Sequence, residues 1–139
     1  MIALDSSILI AALVPTQAHS KASAAILREG GRVVSAHALT ETFSTLTGGK
    51  LSLRFRADDA LQLIRDDILS VANSIELGTV DLLAAFSEAQ ARGVRGGATY
   101  DYLHLFAARK AGAEKLFTLN SSNFQAFWRV GDPEILHPS

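Results

Sequence analysis

The sequence predicts an α/β domain with a mainly parallel central sheet flanked by helices, and three observations support this fold class. Short apolar runs of strand length alternate with longer segments in which apolar residues recur at helical spacing. Proline or paired glycines stand at several junctions between them. Of the 139 residues, 48% are hydrophobic and 19% are charged, which is typical of a chain that buries a core. We find no repeat, low-complexity stretch or linker, and expect a single domain over residues 1–139.

The first half of the chain predicts two strands and three helices. Residues 2–5 (IALD) form an apolar run that ends in an aspartate, and the serines that follow can cap a helix over 6–13 before Pro15 stops it. A second helix is predicted over 19–28 and ends at a pair of glycines. The apolar run RVVSA predicts a strand at 32–36, followed by a helix that also ends at two glycines. That helix is predicted over residues 37–49.

The second half continues the same alternation. An amphipathic helix is predicted over 57–69, with Leu61, Ile64 and Ile68 on one stripe. The other helices are predicted over 79–92 and 100–112. The remaining short strands are predicted within 70–77, at 115–120 and within 132–137.

Charge and composition exclude several classes of protein. The formal net charge is −1, so any polyanionic partner must be held by a local feature. The chain has no cysteine, which excludes a disulfide scaffold, a thiolate metal site and a cysteine nucleophile. The longest apolar run, Ile8–Val14, is too short to cross a bilayer, and Asp5 lies where a secretory signal would be basic. We therefore expect a cytoplasmic protein without a membrane partner.

Three carboxylates occupy the same kind of position. Asp5 ends the first strand, Glu41 lies in the first turns of the helix after the second strand, and Asp101 begins the helix before the strand KLFTLN. Ligands of open α/β sheets bind beyond the carboxyl ends of the strands, which is where all three residues are predicted to lie. Two carboxylates 4 Å apart repel by about 4 kcal/mol at an effective dielectric constant of 20. This repulsion is larger than the stabilisation that the helix dipoles provide. A divalent cation such as Mg²⁺ or Mn²⁺ is the compensation that fits oxygen ligands.

Each carboxylate also has a purely structural interpretation. Asp5 can cap the first helix, Glu41 can lie on a solvated face, and Asp101 can complement a helix dipole. His104 follows Asp101 by three positions and would lie on the same helical face, where it is a candidate partner or ligand of the site. We expect a packed or hydrogen-bonded histidine instead, since its neighbours are core-like. His37 is expected to be a residue of a helix start.

The segments IALDSSILIAAL, HALTETFSTLT, YDYLHLFAARKAGAEKLFTLN and SSNF, in this order, resemble the PIN-domain ribonucleases. The likeness is greatest to VapC-type toxins of bacterial toxin–antitoxin pairs. It implies a PIN-like three-layer fold and an acidic cluster that binds Mg²⁺ or Mn²⁺. The acidic positions of the family fall on Asp5, Glu41 and Asp101, which would be both the catalytic and the metal-binding residues. Supporting positions implied by the resemblance are Ser6 or Ser7, Thr118 and Asn120.

The resemblance implies a function as well as a fold. It implies a metal-dependent endoribonuclease that hydrolyses RNA, acts as the toxin of a type II pair and binds a cognate antitoxin. We also expect a homodimer. Asn120 stands where a fourth acidic residue often lies, and Asn123 replaces another acidic residue. These two departures favour an alternative, a catalytically weak PIN-like module for protein binding. A phosphatase-like or receiver-like domain fits less well, because position 7 is serine and no DxD motif follows the first strand.

Overall fold

The computed structural model describes residues 1–139, which form five strands and six α-helices. The strands are β1 (Ile2–Leu4), β2 (Arg32–Ser35), β3 (Ala72–Ile75), β4 (Lys115–Phe117) and β5 (Glu134–Leu136). The helices are α1 (Ser6–Leu13), α2 (Ser20–Arg28), α3 (Ala36–Thr47), α4 (Ala57–Leu63), α5 (Thr79–Arg92) and α6 (Ala98–Lys110). A π-helical turn (Ile64–Ile68) continues α4, and a 3₁₀ turn (Ser121–Phe124) follows β4. None of these helices is both long and apolar enough to span a lipid bilayer.

The five strands form one sheet in the order β3-β2-β1-β4-β5, and every neighbouring pair is parallel. The predicted fold class is therefore confirmed, with a sheet that is wholly rather than mainly parallel. Leu4 of β1 is level with Val34 of β2 and with Phe117 of β4. The strand order reverses between β1 and β4, which makes the carboxyl end of β1 the place where an open α/β sheet builds a site.

Two hydrophobic cores cover the two faces of the sheet. Adjacent residues of a strand point to opposite faces, so Ala3 and Val33 belong to one core while Leu4 and Val34 belong to the other. The first core also takes in α6, the 3₁₀ turn and the segment after it, where Phe127 is fully buried. The second core is formed with α1, α2, α3 and α4. Helices, sheet and helices thus make the three layers that the sequence predicted.

The amphipathic stripe predicted over 57–69 is partly wrong. Ile64 and Ile68 are buried, but Leu61 is 42% exposed and Ala60 takes its place in the core. The helix changes from α to π geometry at Ile64, which alters the spacing of its residues around the axis. A stripe drawn at constant helical spacing therefore cannot describe both halves of the segment.

Candidate metal and active site

Asp5 lies at the carboxyl end of β1 and caps helix α1. Its Oδ1 accepts hydrogen bonds from the Ser7 N–H (3.0 Å), the Ile8 N–H (3.3 Å) and the Ser7 hydroxyl (2.5 Å). These bonds satisfy donors that a helix start leaves without partners. The residue is 2% exposed, and its second oxygen, Oδ2, accepts no hydrogen bond from the protein. The structural role proposed for Asp5 is thus present, but it uses only one of the two carboxylate oxygens.

The two serines after Asp5 have different partners. The Ser7 hydroxyl, besides donating to Asp5, accepts a hydrogen bond of 2.9 Å from the Leu119 N–H just beyond β4. It therefore fixes Asp5 against the neighbouring strand. Ser6 instead lies near Glu41, and hydrogen bonding from its side chain helps to lower the pKa of that carboxyl.

Glu41 lies on α3 and contacts two histidines. Its Oε1 is 2.7 Å from His104 Nε2 on α6, and its Oε2 is 3.6 Å from His37 Nε2 one turn earlier on α3. Burial alone would raise the pKa of the Glu41 carboxyl, but the hydrogen bond with His104 and the charges of both histidines outweigh it and hold this pKa below its ordinary value. About one third of the Glu41 side chain is exposed (34%), so it borders solvent.

Asp101 lies in the first turn of α6, one turn before His104. Burial raises the pKa of the Asp101 carboxyl, and the negative charges of Asp5 and Glu41 add to the increase. His104 and the side chain of Asn123 oppose it. A carboxylate that feels both other carboxylates in this way lies in the same small region of the protein.

His104 lies among the three acidic residues. It is 4% exposed, as expected of a packed and hydrogen-bonded histidine. Burial disfavours its charged form, but the hydrogen bond with Glu41 and the negative charges of Asp5, Glu41 and Asp101 raise the pKa of the imidazole. All three predicted carboxylates therefore act on one buried ring. Asp5 after β1, Glu41 on α3 and Asp101 on α6 thus lie around His104, although the ligand atoms found within 4.8 Å of one another belong to His37, Glu41 and His104 rather than to the three carboxylates.

Of the polar residues that follow β4, one supports the backbone and another acts on a carboxylate of the site. Thr118 is fully buried, and its hydroxyl accepts a hydrogen bond of 3.0 Å from the Asn120 N–H. The Asn120 side chain forms no hydrogen bond with any of the three carboxylates. Asn123, at the 3₁₀ turn, is the amide that helps to lower the pKa of Asp101.

Two contacts of the site were missed by sequence reasoning. The pairing of Glu41 with His104 joins residues 63 positions apart, and His37 joins the same group through Glu41. The signals that point to them are the four-residue spacing of His37 and Glu41 and the three-residue spacing of Asp101 and His104, each of which places two side chains on one helical face.

The donor chemistry fits a hard divalent cation. Asp5 is buried while Glu41 and Asp101 are partly exposed, and the Oδ2 of Asp5 accepts no hydrogen bond from the protein. Charges of this kind are stable inside a protein only when they are paired or bind a metal. Mg²⁺ and Mn²⁺ prefer oxygen ligands of this type.

The wholly parallel three-layer fold, together with acidic residues gathered at the carboxyl end of β1, defines a class of protein. Residues 2–127 match the family model of the PIN domain, so the chain belongs to the PIN-domain family. The resemblance inferred from the sequence motifs is confirmed.

Several individual proteins are similar to this chain along almost its whole length. Ribonuclease VapC40 of Mycobacterium tuberculosis is 34% identical to this chain over 130 residues, which is 94% of either chain. The crystal structure of VapC20 of the same organism, a toxin that cleaves the sarcin–ricin loop, has a TM-score of 0.72 at 18% identity and covers 96% of this chain and 100% of its own. The complex VapBC2 of Rickettsia felis, bound to a promoter DNA fragment, contains a chain with a TM-score of 0.66 at 18% identity, over 99% of this chain and 98% of its own.

Proposed function

We propose that this protein is a metal-dependent endoribonuclease that hydrolyses phosphodiester bonds of RNA and serves as the toxin of a type II toxin–antitoxin pair. The observation that carries the proposal is the placement of Asp5 after β1, Glu41 on α3 and Asp101 on α6 around His104, which is hydrogen-bonded to Glu41 and lies within the electrostatic influence of all three carboxylates. The 34% identity to a ribonuclease along almost the whole chain supports it. Action on cellular RNA would place the protein in the cytoplasm.

Asp5, Glu41 and Asp101 would hold Mg²⁺ or Mn²⁺. When bound, such an ion lowers the pKa of a coordinated water and neutralises charge on the phosphodiester in the transition state. The resemblance implies products with a 5′-phosphate and a 3′-hydroxyl.

The residues of the chain have separable roles in this proposal. Ser7 orients Asp5, because its hydroxyl donates to Oδ1 and is itself fixed by the Leu119 N–H. Asp101 is the best candidate to accept the proton of the attacking water, since Asp5 uses one oxygen to cap α1 and Glu41 is hydrogen-bonded to His104. Asn123 would hold Asp101 in place through its amide.

Two protein partners belong to the proposal. Solved structures of similar fold include toxin–antitoxin complexes, which supports a cognate antitoxin for this chain. A carboxylate cluster also suits a bidentate arginine from such a partner. We further propose a homodimer, supported by the large apolar side chains that α5 exposes, of which Val80 is 81% and Leu83 is 62% exposed.

The alternative function is a PIN-like module for protein binding with a weak catalytic site. Asn123 favours it, because an amide rather than a fourth carboxylate interacts with Asp101. A titration with Mn²⁺ separates the two functions, since a module without a working site would show no stabilisation by the metal.

The deciding experiment is RNA cleavage by purified protein with Mn²⁺, Mg²⁺ or chelator. We expect cleavage only with metal, and its loss in Asp5→Asn, Glu41→Gln and Asp101→Asn, each of which keeps side-chain shape and removes a charge. Asp59→Asn is the matched control, because Asp59 is an exposed carboxylate on α4 and is not among the charges that act on Asp101 or His104. Cleavage at the parental rate by Asp101→Asn, or equal loss in Asp59→Asn, would contradict the site.

A further inference from the structure

His37, Glu41 and His104 form a group that differs from the carboxylate trio. One ligand atom from each of these residues lies within 4.8 Å of the other two. His37 and Glu41 are four residues apart on α3, a spacing that places both on one face of the helix, and His104 reaches them from α6. Glu41 is the only residue that this group shares with the trio.

The Nε2 atom of His37 is available to a ligand. It is buried and has no hydrogen-bond partner, and its nearest acidic atom, Glu41 Oε2, is 3.6 Å away, beyond hydrogen-bonding distance. A buried polar atom without a partner is destabilising. The His37 ring is held in place by stacking on Tyr100, with ring centroids 5.5 Å apart and an angle of 10° between the planes.

The geometry of the group is close to that of a metal site. Zn²⁺ binds imidazole nitrogen at about 2.0–2.1 Å in a tetrahedral arrangement, so neighbouring ligand atoms lie about 3.4 Å apart. Glu41 Oε1 is 2.7 Å from His104 Nε2, and Glu41 Oε2 is 3.6 Å from His37 Nε2. One ligand atom from each residue lies within 4.8 Å of the other two, so shifts of about 1 to 1.5 Å would bring the three atoms around one ion.

The surroundings supply what such a site needs. The Nδ1 of His104 lies 3.5 Å from the Ser35 hydroxyl, a contact that orients the ring and leaves Nε2 to face Glu41. A cavity of about 390 Å³, lined in part by Ser35, His37 and Tyr100, borders the group on the side of His37. Three protein ligands and an open position are the arrangement of exchangeable rather than structural zinc sites.

We infer that His37, Glu41 and His104 form a second metal site, selective for Zn²⁺ and similar borderline ions over Mg²⁺. Imidazole binds Zn²⁺, Co²⁺ and Ni²⁺ well, whereas Mg²⁺ prefers oxygen ligands. A consequence that rests on the proposed function follows from the shared ligand. Zn²⁺ bound here occupies Glu41 and so removes it from Asp5 and Asp101, which makes zinc an inhibitor of RNA cleavage.

Binding of Zn²⁺ alone tests the site without RNA. We expect calorimetric titration of metal-free protein to show one site, whose affinity falls at least about tenfold in His37→Ala and in His104→Gln. The matched control is the double variant His19→Ala/His137→Ala, which removes the other two histidines of the chain, whose rings are 4.7 Å apart. This variant should retain the site. Unchanged affinity in a folded His37→Ala protein, or loss in the control instead, would overturn the inference.

Spectroscopy and activity complete the test. Co²⁺ added to the parental protein should give the visible absorption of a low-coordinate site with nitrogen ligands, and His37→Ala should not. An excess of Mg²⁺ should leave the spectrum unchanged, and its disappearance would contradict the claimed selectivity. If the protein cleaves RNA, zinc should inhibit the parental enzyme and not His37→Ala. If it cleaves no RNA with any metal, the proposed function fails, while the zinc titration still decides the site.

Discussion

Asn123→Asp is the substitution that tests the arrangement of the acidic site most directly. Asn123 interacts with Asp101, so the substitution puts a fourth carboxylate beside the three already there. The side chain keeps its shape and changes only its charge and its ability to donate a hydrogen bond. Any change in stability therefore reports the electrostatics of the site.

The expected loss of stability in Asn123→Asp is the sum of two destabilising contributions. Two carboxylates in contact at about 4 Å repel by about 4 kcal/mol at an effective dielectric constant of 20, and solvent around the half-buried Asp101 reduces this to about 1 kcal/mol. Loss of the interaction between the amide and Asp101 adds about 1 kcal/mol. A total near 2 kcal/mol corresponds to a fall of roughly 8 °C in the melting temperature of a domain of this size.

Bound metal should partly restore the stability that Asn123→Asp loses. The added charge strengthens cation binding, and each tenfold gain in affinity adds about 1.4 kcal/mol of stabilisation at saturating metal. Thermal melts with chelator and with millimolar Mn²⁺ measure both effects. The control is Asn120→Asp, the same chemical change three residues earlier, at a side chain that is not among the groups that shift the pKa of Asp101. A larger response of Asn120→Asp than of Asn123→Asp in both melts would refute the arrangement and place Asn120 at the site.

Three further predictions address orientation, pH and the partner. Ser7→Ala removes the hydroxyl that joins Asp5 to the Leu119 N–H, so we expect a loss of about 1–2 kcal/mol in urea unfolding and slower RNA cleavage. The hydrogen bond from Arg109 holds the pKa of Glu88 below its ordinary value. This carboxylate therefore stabilises the fold above its unfolded pKa, and melts between about pH 6 and about pH 3 should show a smaller acid-induced loss in Glu88→Gln than in the parental protein. The purified complex with the product of the neighbouring gene should cleave RNA more slowly than the free protein, and equal rates would exclude inhibition at the site.

The fold could be predicted because parallel strands have a simple signature. Ala3–Leu4 and Val33–Val34 are continuous apolar pairs, and both members of each pair are buried, on opposite faces of the sheet. The π-helical turn at Ile64–Ile68 could not be predicted in this way. A hydrophobic stripe in the sequence indicates which residues are buried, but it does not indicate which backbone hydrogen-bond pattern the helix adopts.

The carboxylates could be predicted because their positions follow from topology alone. A residue that ends a central strand, such as Asp5, must lie at the carboxyl edge of a parallel sheet. The contacts of His104 with Glu41 and of Asn123 with Asp101 depend instead on how α3, α6 and the 3₁₀ turn pack against one another. Periodicity within one element carries no information on such packing, so these residues emerge only from the three-dimensional arrangement.

Asp5 shows why a structural role and a chemical role are not alternatives at this site. Capping of α1 engages Oδ1 with two backbone N–H groups and the Ser7 hydroxyl, and these three bonds fix the plane of the carboxylate. Because the plane is fixed, the direction of the unpartnered Oδ2 is fixed as well, without further residues to hold it. A carboxylate free to rotate would lose conformational entropy on binding a cation, whereas one already held by a helix start has lost it during folding. The helix cap thus preorganises Asp5 as a ligand.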